Sequence, residues 1–200
     1  MGGLKHDYYL MRHGQSEANV QKIICSNPSI GVASFGLTNL GRKQAMQSST
    51  HFITSTIPPS NTKDIIIYTS DFLRAYQTAQ ILGSVCKCHV IKTEALRERF
   101  FGDHDLKSDT NYQITWGNDA KRQLEHNEES PVSVAARVKR LIEKIEQDVA
   151  KPSIVVLVAH GDTCQMTQAL FARLPPWDHR KLKHLETAEV RFIGRPLLKL

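Results

Sequence analysis

The 200-residue chain has four cysteines, and their spacing suits neither metal nor disulfide chemistry. Cys25, Cys86, Cys88 and Cys164 form no Cys-x-x-Cys pair of the kind a zinc site uses, and no secretory context favours disulfides. Reduced, mostly buried thiols that pack as small hydrophobes are expected. No apolar run approaches the roughly 20 residues that a membrane span needs. The opening segment Met1-Gly2-Gly3-Leu4-Lys5-His6 lacks the apolar core of a signal peptide, and His6 stands where an N-myristoylation signal calls for Ser or Thr. A cytoplasmic address with no membrane partner follows as the expectation. A basic run with interleaved aromatics is also missing, so the net charge of +6 and pI near 9.2 point to no nucleic-acid partner. Asp, Glu and His are nowhere grouped as metal ligands, and no metal or cofactor is expected.

What is present is the pattern of one ordinary globular unit. With 40% hydrophobic and 23% charged residues, the chain is long enough to bury roughly 70% of its unfolded surface, and residues 1–200 are read as a single domain. Strands are expected over residues 8–11, 65–68, 154–159 and 188–193, with a weaker one at 90–91. Helices are expected from the Thr38 N-cap to about Ile53, over residues 72–83, after Ser130-Pro131, and through Met166 to Ala172. The third shows its period in Val134, Val138, Leu141, Ile142, Ile145 and Val149, while Arg137, Lys139 and Lys144 read as a solvated face. A Pro-Pro loop falls at Pro58 and Pro59, and residues 96–109 are polar and Gly-bearing enough to be expected outside the core. The short, wholly apolar runs at 65–68 and 154–159 are typical of strands in a parallel sheet covered on both faces.

In such sheets ligands collect beyond the carboxyl ends of the strands. Three strand ends here carry related groups: Arg12-His13-Gly14 after the first, Thr69-Ser70-Asp71 with Arg74 after the second, and His160-Gly161-Asp162 after the fourth. Their convergence would make a phosphate pocket. Gly14 is expected to leave room for the bound group, and Arg12 and Arg74 offer planar forks of donors that match phosphate oxygens. A neutral imidazole attacks phosphorus through one nitrogen when the other is held as a donor, which makes His13 the candidate nucleophile. Arg12, Arg74 and a protonated His160 would spread charge over the transferring phosphoryl group, with Asn19 as a further neutral donor. Glu98 is the candidate acid for the leaving alkoxide, its plainer alternative being an ion pair with Arg97 or Arg99. Asp162 reads as a helix-start residue, and His104, His179, Arg180 and His184 as surface residues.

Taken together, Leu10-Met11-Arg12-His13-Gly14-Gln15-Ser16 with Asn19, Leu37-Thr38-Asn39-Leu40-Gly41 with Gln44-Ala45, Thr69-Ser70-Asp71-Phe72-Leu73-Arg74-Ala75 with Gln77-Thr78-Ala79, Leu96-Arg97-Glu98-Arg99 with Phe101-Gly102, and Ala159-His160-Gly161 resemble the ordered motifs of the histidine phosphatase superfamily, in its phosphoglycerate-mutase-like branch. The resemblance implies a three-layer α/β/α sandwich with a mainly parallel central sheet and a covalent phosphohistidine on His13. It further implies phosphate binding by Arg12, Arg74 and His160, assistance from Asn19 and Gly161, and proton transfer by Glu98. The sequence departs from the family at His104-Asp105-Leu106 and over residues 21–36, so no substrate contacts carry over there. Phosphomonoester hydrolysis is the expected activity, on a small molecule or, as an alternative, a phosphoprotein. Phosphoglycerate mutase is the runner-up, since the family's mutases are longer. A non-catalytic phospho-ligand-binding or scaffold module is disfavoured by the joint presence of both histidines, both arginines and the acid. Nothing in the sequence bears on oligomeric state.

Overall fold

The computed structural model describes residues 5–57 and 64–194. A five-stranded sheet in the order β3-β2-β4-β1-β5 forms its centre, from β1 (Asp7–Arg12), β2 (Ile65–Thr69), β3 (Val90–Lys92), β4 (Ile154–Ala159) and β5 (Val190–Gly194). The first four strands run parallel, and β5 closes the β1 edge antiparallel. Helices α1 (Glu17–Gln21), α2 (Pro28–Gly31), α3 (Asn39–His51), α4 (Leu73–Cys86), α5 (Tyr112–Lys121), α6 (Pro131–Asp148) and α7 (Gly161–Phe171) complete the chain.

Strand alternation sorts the core into two halves. Tyr8, Leu10, Val155, Leu157 and Ala159 face one way and pack with Val138, Leu141, Ile142 and Ile145 of α6 and Cys164 of α7. Met11, Ile67, Ile154, Val156 and Val158 face the other way, against Phe52 and against Ala79 and Leu82 of α4. The result is a three-layer α/β/α sandwich with a mainly parallel sheet. All six residues of β4 are buried, which is why that strand has no polar alternation to show in sequence.

Local signals set most helix starts. Thr38 caps α3 by accepting from Gly41 N, Ser130 caps α6 by accepting from Ser133 N with Pro131 at the first helical position, and Phe72 precedes α4 in an extended conformation. After His51 the α3 backbone widens into one π-helical turn, Phe52–Thr56. Pro58 and Pro59 lie outside the described residues. Two expected boundaries move. Val149 ends the α6 stripe as an extended C-cap, and Ala188 sits in left-handed backbone before β5 begins, its N–H donating to His13 O.

The stretch at 96–109 is irregular, as expected, but it is not outside the core: Leu96, Arg99 and Phe101 are fully buried and His104 nearly so. The ring nitrogens of His104 aside, its buried side-chain polar atoms find partners inside. Phe101 N donates to Ser26 Oγ, Glu129 N donates to Phe100 O, and Arg99 forms a two-pronged pair with Asp119 at 2.6 and 2.9 Å. Buried polar groups are tolerated when bonded in this way, so composition alone misplaces the segment.

Candidate active site

The parallel ladder brings the strand ends together. His13 N donates to Ala159 O at 3.0 Å and Ser70 N to Val158 O at 3.0 Å, so the residues just beyond β1 and β2 are pinned to either side of β4. His160, beyond β4, caps α7, and its ring meets that of His13 edge to face at 5.1 Å. Gly14 lacks a Cβ for a backbone reason, which corrects the expectation that it clears space for a ligand. Any Cβ there would collide with the carbonyl of Gly41, at the start of α3.

The hydrogen-bond partners of His13 determine its tautomer. Nδ1 lies 2.7 Å from Gly14 O, which can only accept, and Nε2 lies 3.1 Å from Arg74 Nε, which can only donate. Nδ1 therefore carries the proton and Nε2 the lone pair. Burial, reinforced by the charges of Arg74 and Arg12, holds the His13 imidazolium well below its usual range, so the ring is neutral.

Arg74 also donates through Nη2 to Cys25 O at 2.9 Å, and Arg12 Nη1 lies 2.9 Å from Leu185 O and 2.8 Å from His184 Nε2. Arg12 Nε, Arg74 Nη1, His160 Nδ1 and His184 Nδ1 are buried without a partner. His160 Nε2 sits 2.9 Å from Ser70 Oγ, which itself accepts from Phe72 N. Burial, then Arg74 and His13, push the His160 pKa well below the ordinary value. Burial, with the charges of Arg74, Arg137 and Arg12 adding to it, thus disfavours the expected protonated form of His160.

Glu98 pairs with neither neighbour in sequence. Arg97 is taken by Asp71 at 2.6 Å and Arg99 by Asp119, while Glu98 Oε1 accepts from Arg99 N at 3.0 Å and from Thr163 N and Oγ1 at 3.2 Å each. Oε2 is turned toward Gly161, where a Cβ would stand 3.8 Å from it and 3.2 Å from His184 Cε1. Burial first, then the Asp162 carboxylate, raise the Glu98 pKa against the opposing pull of Arg74 and the two N–H groups. The carboxyl is thereby biased toward the form that can give a proton.

These groups surround a cavity of about 190 Å³, lined among others by Arg12, His13, Asn19, Arg74, Glu98 and Gly161. Every expected site residue lines it except His160, which lies beneath His13. Asn19 Oδ1 is occupied by Ser16 N and Oγ in a capping box, so only its amide NH₂ can serve a ligand. The cavity also takes in His184, Asp162, Asp109, Tyr112 and Trp116. His184 was expected on the surface; the chain returning from α7 to β5 carries it back against Arg12. His179 is fully buried, 3.9 Å from Asp119, and His104 is buried beside His126, so neither is a surface residue. Asp162 is in the first turn of α7, as expected, and also accepts from Trp116 Nε1 at 3.1 Å. Of these additions only Asp162 has a sequence signal, its place directly after His160-Gly161. Among the described residues no three His, Cys, Asp or Glu side chains are gathered as a metal site.

A mainly parallel α/β sheet that gathers two histidines and two arginines at neighbouring strand ends has the donors and charge to hold an oxyanion. The chain belongs to the histidine phosphatase superfamily (branch 1), whose family model matches residues 8–195. It is 28% identical over 186 residues to the Escherichia coli protein named "Probable phosphoglycerate mutase GpmB", covering 88% of this chain and 79% of that one. The structure of a mycobacterial glucosyl-3-phosphoglycerate phosphatase in complex with VO3 superposes with a TM-score of 0.74 at 28% identity, over 92% of this chain and 90% of that one. A protein described as mycobacterial hydrolase 1 gives 0.76 at 26% identity, over 92% and 86%.

Proposed function

We propose that this protein is a metal-independent phosphomonoester hydrolase acting on a small molecule through a phosphohistidine on His13. One observation carries the reading: a neutral His13 whose Nε2 lone pair is bordered by buried donors without partners, on Arg12, Arg74 and His160. A phosphate oxyanion supplies the acceptors those groups lack. The likeness to a phosphatase whose structure holds VO3 supports an oxyanion there.

In the first step His13 Nε2 attacks phosphorus, the P–N bond forms and the P–O bond to the alcohol breaks. Glu98 gives its proton to the departing oxygen. Arg12 and Arg74 balance the charge on the equatorial oxygens, and His160, with Nε2 accepting a hydrogen bond from the Ser70 hydroxyl, carries its proton on Nδ1 and donates from there. In the second step the Glu98 carboxylate takes a proton from water, whose oxygen attacks phosphorus and returns His13 to its lone-pair form. Asn19 contributes its amide N–H at the rim, and Gly161 allows Glu98 and His184 to approach.

The chain is proposed to work as one catalytic domain, in a reducing compartment such as the cytoplasm, where the neighbouring free thiols Cys86 and Cys88 would persist. The kinship to a protein named as a mutase favours transfer to a second phosphorylated substrate as the runner-up. Rapid quench during turnover, followed by peptide mapping, tests the mechanism. An acid-labile, alkali-stable phosphate on His13, absent in His13→Ala, is expected, with phosphate release that persists in chelator. A label on serine or aspartate, or activity recovered only with added metal, overturns it.

A further inference from the structure

The charges lining the cavity are unevenly placed. Its two guanidinium groups, Arg12 and Arg74, adjoin His13, where the phosphoryl group is read to sit. The remaining ionisable wall consists of Glu98, Asp109, Asp162, Cys25, Tyr112 and His184. His184 adds no cation near neutral pH, since burial and then Arg12 lower its pKa to about 4. Arg99 touches Asp162 only at 3.6 Å and is committed to Asp119 at 2.6 Å, so those three groups together keep one net negative charge. Arg180 lies over the Trp116 ring at 3.8 Å but is exposed and does not line the cavity. Tyr112 and Trp116 stack 5.2 Å apart with planes 8° from parallel, and the pair adds wall without a fixed charge to the cavity.

Resting on the hydrolase reading, we propose that Asp109 and Asp162 make this site selective for phosphomonoesters whose alcohol is uncharged and hydroxyl-bearing, and set it against substrates with a second anion beside the ester. A phosphate dianion matches the two arginines. A carboxylate or second phosphate in the same small cavity would face two carboxylates with no further cation in the lining; Arg180, over the Trp116 ring and close enough for its charge to act on His184, is exposed and screened by solvent. Hydroxyl groups would instead donate to Asp162, whose oxygens hold one shared N–H from Trp116 and retain acceptor capacity. This choice separates the protein from its relatives named for phosphoglycerate substrates.

Glycerol 3-phosphate and 3-phosphoglycerate form a matched pair of three-carbon primary phosphate esters, alike in leaving-group demand and different in the distal charge. At neutral pH kcat/KM is expected to favour glycerol 3-phosphate by about tenfold or more. Asp109→Asn and Asp162→Asn should each narrow that ratio several-fold; any change in Glu98 acidity affects both esters and cancels. Asp109 is half-exposed, so its variant reads the effect even if Asp162→Asn fails to fold. Equal or better use of 3-phosphoglycerate, or a ratio untouched by Asp109→Asn, overturns the proposal. Calorimetric titration of both esters into His13→Ala reads the same preference without turnover. A tenfold binding preference in a protein that hydrolyses neither ester would therefore sink the hydrolase reading and uphold the selectivity, whereas hydrolysis with no preference does the reverse.

Discussion

Glu98 and Arg74 are where single side chains make the sharpest claims. A general acid matters in proportion to how badly the leaving group needs a proton, so Glu98→Gln should slow phosphoenzyme formation from an alkyl phosphate by about a hundredfold or more. From p-nitrophenyl phosphate, whose phenolate leaves unaided, the loss should be small, and single-turnover measurement of the phosphorylation step distinguishes the two. The raised Glu98 pKa means that loss of its proton carries the alkaline limb of the rate profile, and that limb should vanish in the Gln variant. Arg74 holds three directions at once: Nε toward His13, Nη2 on Cys25 O, and Nη1 unpartnered. An ammonium cannot reproduce that fork, so Arg74→Lys should lower kcat/KM by about a hundredfold despite the retained charge. Circular dichroism verifies that the variant is folded.

Among the elements, α6 and α3 do different work. Helix α6 presents Val134, Val138, Leu141, Ile142 and Ile145 as a continuous buried stripe against the sheet, while Arg137 crosses to Ala95 O and Glu98 O and so ties the helix to the backbone of the acid. That makes Arg137 more than a solvated cation, contrary to the reading of that face from charge alone. Ile142→Ala removes buried methyl groups that do not line the cavity and should cost about 2–5 kcal/mol in urea unfolding, with KM unchanged in the folded fraction. Thr38 caps α3 and donates to Gln15 Oε1, so it links the helix start to the chain just past His13. Thr38→Ala should cost about 1 kcal/mol by the same measurement.

For the whole molecule, the burial of several histidines couples stability to pH. His13, His104, His160, His179 and His184 are all held below the ordinary imidazole value, in each case with burial as the largest cause. The unfolded chain therefore binds more protons than the folded one as pH falls below about 6.5, and stability must decrease through that window. Glu98 and Asp119, raised by burial, act in the opposite sense but are outnumbered. The thermal midpoint should fall steadily between about pH 6.5 and 4. Replacing His179, which lies outside the cavity, with Gln should flatten the slope; a midpoint that rises on acidification would contradict this account.

The hydrophobic pattern and the capping residues marked the strands, the helices and a parallel sheet covered on both faces, while the three-layer sandwich was implied by the resemblance to the family. An all-apolar β4, a helical stripe on α6, and Thr38 and Ser130 at helix starts are local signals, because strand alternation, helix period and capping act over a few residues. The strand-end groups Arg12-His13, Arg74 and His160-Gly161 were legible for the same reason, since a parallel sheet delivers its carboxyl ends to one side. Tertiary structure alone decided the rest. Glu98 is freed from Arg97 and Arg99 only because Asp71 and Asp119 arrive from elsewhere in the chain, and residues 96–109 enter the core only because distant partners satisfy their polar atoms. His184 reaches Arg12 from 172 positions away. The lowered pKa of His160 likewise reflects burial and charges assembled in space, a property that no spacing along the chain encodes.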